Sequence, residues 1–90
     1  MMTVLCLPAD MGTAFAKHLL QQLRDQATDI VLDGGAVKRL GGRCFEILLS
    51  AQKTAHGRQA RFFIQNPSVE FQKALELLGG TFLLEKENNQ

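Results

Sequence analysis

Short apolar runs alternate along the chain with longer segments in which apolar residues recur at helical spacing. Four of the short runs are bounded by turn-forming residues and predict strands: residues 3–7, 29–33, 60–65 and 81–84. Three longer segments predict helices: one that follows the turn at 10–13 and extends through residue 27, one at 43–56, and one that starts at 66–68 and extends through residue 78. The chain therefore alternates between strand and helix.

Glycine and cap-forming residues mark the ends of these helices. Gly57 is placed to end the second predicted helix, and the glycine pair at 79–80 ends the third. Pro67 suits the first turn of the third helix. The side chains of Asn66 and Ser68 can both cap this helix, and the sequence leaves the choice between them open.

The order β-α-β-α-β-α-β predicts an α/β fold with right-handed crossovers and a mainly parallel four-stranded sheet. The run at 29–33 has three apolar residues between two aspartates, as expected of a central strand covered on both faces. We assign residues 1–85 to one domain and residues 86–90 to a polar tail. Partners and ligands of such folds commonly contact the loops beyond the carboxyl ends of the strands. Those loops are residues 8–13, 34–42 and 66–68.

Composition and charge narrow the class of protein. Ninety residues suit one compact domain, and ten Lys and Arg against nine Asp and Glu give a net charge of +1, with the basic residues scattered. Because no concentrated basic face is evident and both Trp and Tyr are absent, nucleic-acid binding is disfavoured. The sequence has no leader-like start and no long apolar run, and its two cysteines lie far apart. We therefore expect a soluble protein of the reducing cytoplasm, without direct membrane insertion.

Candidate chemical groups each have a plainer structural explanation. Gly41 and Gly42, placed before a helix, would let backbone N–H groups approach an anion, but they lack the spacing of known phosphate-binding motifs and favour an ordinary turn. Cys44 is either a thiol of lowered pKa or a core residue, and its place in an apolar stripe favours the core. Asp10 and Asp33 follow predicted parallel strands and are candidates for acid–base or Mg²⁺ chemistry, although aspartate is also common in turns.

Metal binding and catalysis find little support in the sequence. His18 and His56, taken with the two cysteines, do not have the spacing of metal ligands. No Ser, Thr or Lys nucleophile accompanies the two aspartates. We therefore predict no metal, no cofactor and no enzymatic activity.

The helix after Gly42 has more apolar surface than one core contact requires. Its expected core stripe consists of Cys44, Ile47, Leu48, Ala51 and Ala55. Phe45 and Leu49 form a second i, i+4 pair, displaced by about 100° from that stripe. This pair either widens the buried face or forms a docking surface, and the sequence favours neither alternative.

Taken together, these segments resemble the STAS domain, a module shared by sulphate transporters and anti-sigma-factor antagonists. The resemblance covers nearly all of the chain and lies in the order and spacing of four stretches: "LCLPADMGTAFAKHLLQQL", "DIVLDGGAVKRLGG", "RFFIQNPSVEFQKALELLG" and "TFLL". It implies a single STAS-like domain that acts as a protein-interaction module.

The chain differs from the STAS family in the loop at which family members are regulated. In the family this loop typically has Asp-Ser/Thr-x-Gly, and a partner kinase phosphorylates the hydroxyl. These four places fall on Gly41, Gly42, Arg43 and Cys44. Gly42 has no oxygen to phosphorylate and Gly41 has no carboxylate, so the resemblance implies a regulator without a phosphorylation switch at this position.

The resemblance also implies where a partner binds and what kind of partner it is. The expected contact residues lie in this loop, in the helix after it and at the end of the first strand: Gly41, Gly42, Arg43, Phe45, Glu46, Leu49 and Asp10. The expected partner is an anti-sigma or histidine-kinase-like regulator, including chemotaxis components. Two alternatives stay open, namely a STAS subunit that binds the ATPase of a bacterial ABC lipid transporter and a sensor of a nucleotide or other small anion. Homodimerisation also stays open.

Overall fold

A parallel three-stranded sheet with helices packed around it forms the centre of the molecule. The computed structural model of the protein describes residues 4–25 and 29–84. In chain order its elements are β1 (Val4–Cys6), β2 (Asp10–Met11), α1 (Thr13–Arg24), β3 (Ile30–Asp33), β4 (Arg39–Leu40), α2 (Gly42–Gly57), β5 (Phe62–Gln65), α3 (Val69–Leu78) and a 3-10 helix (Thr81–Leu84). The predicted α/β class with parallel strands is confirmed.

The strand β3 lies between β1 and β5 and is parallel to both. Leu32 in β3 is level with Leu5 of β1 on one side and with Ile64 of β5 on the other. Ile30, Val31 and Leu32 are all buried. An uninterrupted apolar run is what a strand covered on both faces requires, so the prediction of a central strand at this place is confirmed.

A second, two-stranded parallel sheet was not predicted from the sequence. In it Asp10 pairs with Arg39, and Met11 pairs with Leu40. The N–H groups of Lys38 and Arg39 both donate to the carbonyl oxygen of Ala9, at 2.8 Å and 3.0 Å. Each of these strands has two residues and stands directly before a helix, so their pairing brings the starts of α1 and α2 side by side.

The predicted strand at 81–84 is wrong, and the main sheet therefore has three strands instead of four. This segment is a 3-10 helix that packs against β5 and α3. Gly79 ends α3 in the left-handed conformation, at φ 76°, and Gly80 donates to the Leu75 carbonyl at 2.8 Å. Leu83 then donates to the Gly80 carbonyl at 3.0 Å and is fully buried. Local hydrogen bonds thus satisfy this backbone and leave it no need of a sheet partner.

The helices enclose one core made of apolar side chains. α1 packs against α2, whereas α3 packs against β4 and the 3-10 helix. Across the described ranges no buried residue is polar or charged. α1 ends at Arg24, and Ala27, to which the predicted helix extended, lies outside the described residues.

Ser68 caps α3 and decides the choice that the sequence left open. Its Oγ accepts the N–H of Phe71 at 3.0 Å and donates to the carbonyl oxygen of Val37. Asn66 instead adopts a left-handed conformation, with φ 52°, in the preceding turn. One hydroxyl therefore completes the first turn of α3 and ties it to the loop after β3.

We predict that Ser68→Ala lowers the free energy of unfolding by about 1–2 kcal/mol, because Phe71 loses its acceptor and Val37 its donor. Ser50→Ala is the matched control, since Ser50 is exposed in the middle of α2, where alanine is the better helix former. Urea unfolding of the two variants measures the difference. Equal stability of both variants would contradict the role of Ser68.

Candidate functional site

Gly41 and Gly42, two of the predicted contact residues, lie at the start of α2. Gly41 is the N-cap and donates its N–H to the Met11 carbonyl at 2.9 Å, while its own carbonyl accepts from Phe45 at 3.0 Å. A Cβ placed on Gly41 would lie 3.6 Å from the Cα of Gly12, which is the N-cap of α1. The two helix starts are therefore in contact.

Neither glycine is required by the shape of the backbone. Gly41 has φ −87°, and Gly79 is the glycine of positive φ in the described ranges. A Cβ on Gly42 would have no atom within 4 Å, and one on Gly41 would meet the Met11 carbonyl at an ordinary 3.4 Å. Both positions therefore accept a Cβ without a steric clash.

Charged side chains surround these glycines in two exposed ion pairs. The Arg39 Nε donates to the Asp10 carboxylate at 2.9 Å, and Arg43 lies 3.5 Å from Glu46 one turn along α2. Such exposed pairs contribute about 0–1 kcal/mol to the free energy of unfolding, so these ion pairs are weak. We call the exposed residues Asp10, Arg39, Gly42, Arg43 and Glu46 the junction surface. It contains four of the seven predicted contact residues.

Arg39 was missed from the sequence. It lies 29 residues from its partner Asp10, and only the pairing of β2 with β4 joins them. No periodicity or motif marks a two-residue strand, so nothing along the chain could have indicated this pair.

Phe45 and Leu49, the predicted second apolar face of α2, are half-buried and pack against the core. A Cβ placed on Gly80 would overlap the Phe45 ring, so this ring contacts the turn between α3 and the 3-10 helix. The structure thus favours the alternative of a wider buried face. Only part of each side chain is available to a partner, and contact with a partner at Phe45 and Leu49 stays a prediction.

Cys44 belongs to the core. Its side chain is fully buried, and its Sγ donates to the Gly12 carbonyl at 3.5 Å. Burial, and after it the negative charge of Asp10, raises the pKa of the Cys44 thiol. A raised pKa disfavours the thiolate, so this cysteine is not a reactive nucleophile at neutral pH.

Asp10 and Asp33, the proposed carboxylate pair, have different partners. Asp33 accepts the Gly35 N–H at 2.8 Å and the Gln65 side-chain amide at 3.3 Å. The first of these hydrogen bonds, followed by the second, holds the pKa of Asp33 below its usual value. Asp33 therefore caps the turn after β3, whereas Asp10 pairs with Arg39. Their geometry favours the structural interpretation of both residues.

The two histidines have separate surroundings. His18 is exposed on α1, with its ring 5.5 Å from that of Phe15, and His56 is exposed in the last turn of α2. Within residues 4–25 and 29–84, no three or more His, Cys, Asp and Glu side chains come together as a metal-binding group.

A groove between α1 and α2 was also missed from the sequence. It consists of two depressions of about 290 Å³ and about 500 Å³ that share Leu20 and Ile47 in their linings. We call it the α1–α2 groove. The apolar residues of its floor are Ala16, Leu20, Leu23, Ile30, Ile47 and Ala51, of which Leu20 is half-buried and the other five belong to the buried core. Its charged lining residues are Lys17, Arg24, Arg43 and Arg58. Only the packing of the two helices creates it, although the spacing of Lys17 and Arg24 on one side of α1 was visible along the chain.

Comparison with known families and with curated proteins found no match for this chain. None of the described helices has both the length and the apolar character needed to cross a membrane. The groups around the α2 start are a buried thiol and two exposed ion pairs.

We predict that one cysteine, Cys6, reacts with a thiol reagent in the native protein, because Cys6 is exposed and Cys44 is buried with a raised pKa. Cys6→Ser should abolish the rapid phase of labelling by Ellman's reagent, and Cys44→Ala should leave that phase unchanged. Both thiols should react in denaturant. Rapid native labelling of the Cys6→Ser variant would show that Cys44 is accessible.

Proposed function

We propose that this protein is a STAS-type regulatory adaptor of the cytoplasm that binds a protein partner through the junction surface and has no phosphorylation switch there. One observation carries the proposal. Gly42 is exposed in the first turn of α2, and a Cβ there would meet no atom within 4 Å. In the sequence resemblance this position corresponds to the hydroxyl residue of the STAS family. The α/β order with parallel strands also supports the assignment.

The missing hydroxyl has a direct electrostatic consequence. Phosphorylation of a Ser or Thr at this position would add about −1.5 to −2 charges and would disrupt a packed contact. Within the junction surface Arg39 and Arg43 balance the charges of Asp10 and Glu46, so a phosphate would make this surface net negative. Without it, binding is constitutive or is controlled through the partner, for which we propose an ATP-binding, histidine-kinase-like regulator.

The absence of a switch is tested with a kinase that phosphorylates STAS domains. We expect no phosphate on the wild-type protein after incubation with this kinase and ATP, and one phosphate on the Gly41→Asp/Gly42→Ser variant, as measured by intact mass. Gly57→Ser is the matched control, because a Cβ at Gly57 also meets no atom within 4 Å but lies at the other end of α2. Stoichiometric phosphorylation of the wild type would overturn this part of the proposal.

The binding surface is tested with the partner that co-purifies with the tagged protein. We expect Arg43→Glu to weaken that complex about tenfold, because the variant loses a cation and repels a partner that is complementary to it. An acidic residue in the first turn of a helix is favourable, so the fold should be retained.

Lys53→Glu is the control for this substitution, since Lys53 is exposed farther along α2. Calorimetry measures both affinities, and equal affinities would place the interface elsewhere. A kinase or receptor component in the complex supports the proposed role. A transporter ATPase would instead support the alternative of a STAS subunit of an ABC lipid transporter.

A further inference from the structure

The α1–α2 groove combines an apolar floor with charge of one sign. Every charged side chain that lines it is basic, namely Lys17, Arg24, Arg43 and Arg58. The whole chain has a net charge of only +1. The acidic residues that balance these cations therefore lie outside the groove lining. Glu46, which pairs with Arg43, is an example.

The residues that line the groove follow helical spacing on both of its walls. Lys17 and Arg24 are seven residues apart on α1, which places them on one side of the helix and about 10 Å apart along its axis. Residues of the α2 wall follow the same periodicity at positions 47, 50, 51 and 54. A shallow apolar channel between two helices is the shape in which a third helix packs its apolar stripe.

We propose that the α1–α2 groove binds an acidic amphipathic helix of a protein partner. The apolar stripe of that helix covers Leu20 and Ile47, and its acidic residues, spaced at i and i+7, face Lys17 and Arg24. Nucleic acid lacks an apolar stripe and would leave the floor of the groove uncovered. The inference goes beyond the proposed function, because it does not depend on the glycine loop. Arg43 is the one residue that the groove shares with the junction surface.

A designed peptide pair tests the chemistry of the groove on the intact protein. The first peptide is a helical 18-residue sequence with leucine at i, i+3, i+4 and i+7 and glutamate beside the leucine stripe, and the second has lysine in place of each glutamate. We expect the acidic peptide to bind at least about tenfold more tightly, with a difference that decreases as salt is raised. Fluorescence anisotropy measures both affinities, and equal affinities, or no binding of the acidic peptide, would overturn the proposal.

Matched charge reversals then locate the binding. Lys17→Glu/Arg24→Glu should weaken binding of the acidic peptide by about tenfold or more, because the charges of two basic lining residues are reversed. Lys53→Glu/Lys73→Glu changes the net charge equally at exposed positions that do not line the groove and should bind normally. Circular dichroism checks the fold, and Lys17→Gln replaces the double variant if the latter is unfolded. Equal losses in the rim and control variants would overturn the proposal.

The natural occupant is tested by photo-crosslinking in cells from position 17, with position 73 as the control. We expect position 17 to crosslink to a protein segment that is acidic and amphipathic, as read by mass spectrometry of the crosslinked peptide. Binding of vesicles that contain anionic phospholipid, displacing the acidic peptide, would assign the groove to lipid and overturn the helix assignment. Arg43 is unchanged in every groove variant, so failure here leaves the proposed function standing and its own test intact.

Discussion

The pairing of β2 with β4 positions both candidate surfaces. Only four residues take part, yet the pairing joins segments that are 29 residues apart and brings Gly12, the N-cap of α1, against Gly41, the N-cap of α2. The hydrogen bond from the Gly41 N–H to the Met11 carbonyl extends this pairing by one residue, to the N-cap of α2. Beyond this contact α1 and α2 pack against each other. Their common start is the junction surface, and their packed flanks form the α1–α2 groove.

The three helices begin in different ways. Ser68 caps α3 with a hydroxyl, and Glu70 adds a favourable charge to its first turn. α1 and α2 begin at glycines, with neither a side-chain cap nor an acidic residue in the first turn. Glycine is itself a good N-cap residue, and a side-chain cap is better by only roughly a few tenths of a kcal/mol, so the stability of α2 hardly distinguishes glycine from Asp, Ser or Thr at position 41. The backbone conformation of Gly41 does not require glycine either.

The apolar side chains of α2 have different packing partners. Phe45 contacts the turn at Gly80 and thereby stabilises the packing of α3 and the 3-10 helix on the rest of the molecule. Less of this side chain is left exposed beside the junction surface, whose charged side chains form the two ion pairs. Ile47, on another side of α2, lies instead beneath the α1–α2 groove. Phe45 and Ile47 thus pack on different sides of the same helix.

The sequence by itself determined the elements whose cause is local. Helical spacing of apolar residues predicted α1, α2 and α3, the unbroken run in β3 predicted a doubly covered strand, and the apolar stripe predicted that Cys44 is buried. Residues 81–84 show the limit of such reasoning, because four apolar residues suit a strand and a 3-10 helix equally well until the buried position of Leu83 and the Gly80 turn decide between them. The choice of Ser68 over Asn66, the Asp10–Arg39 pair and the basic rim of the α1–α2 groove were decided only by the tertiary structure. Each depends on residues far apart in the chain, and a contact of this kind has no periodicity by which the sequence could reveal it.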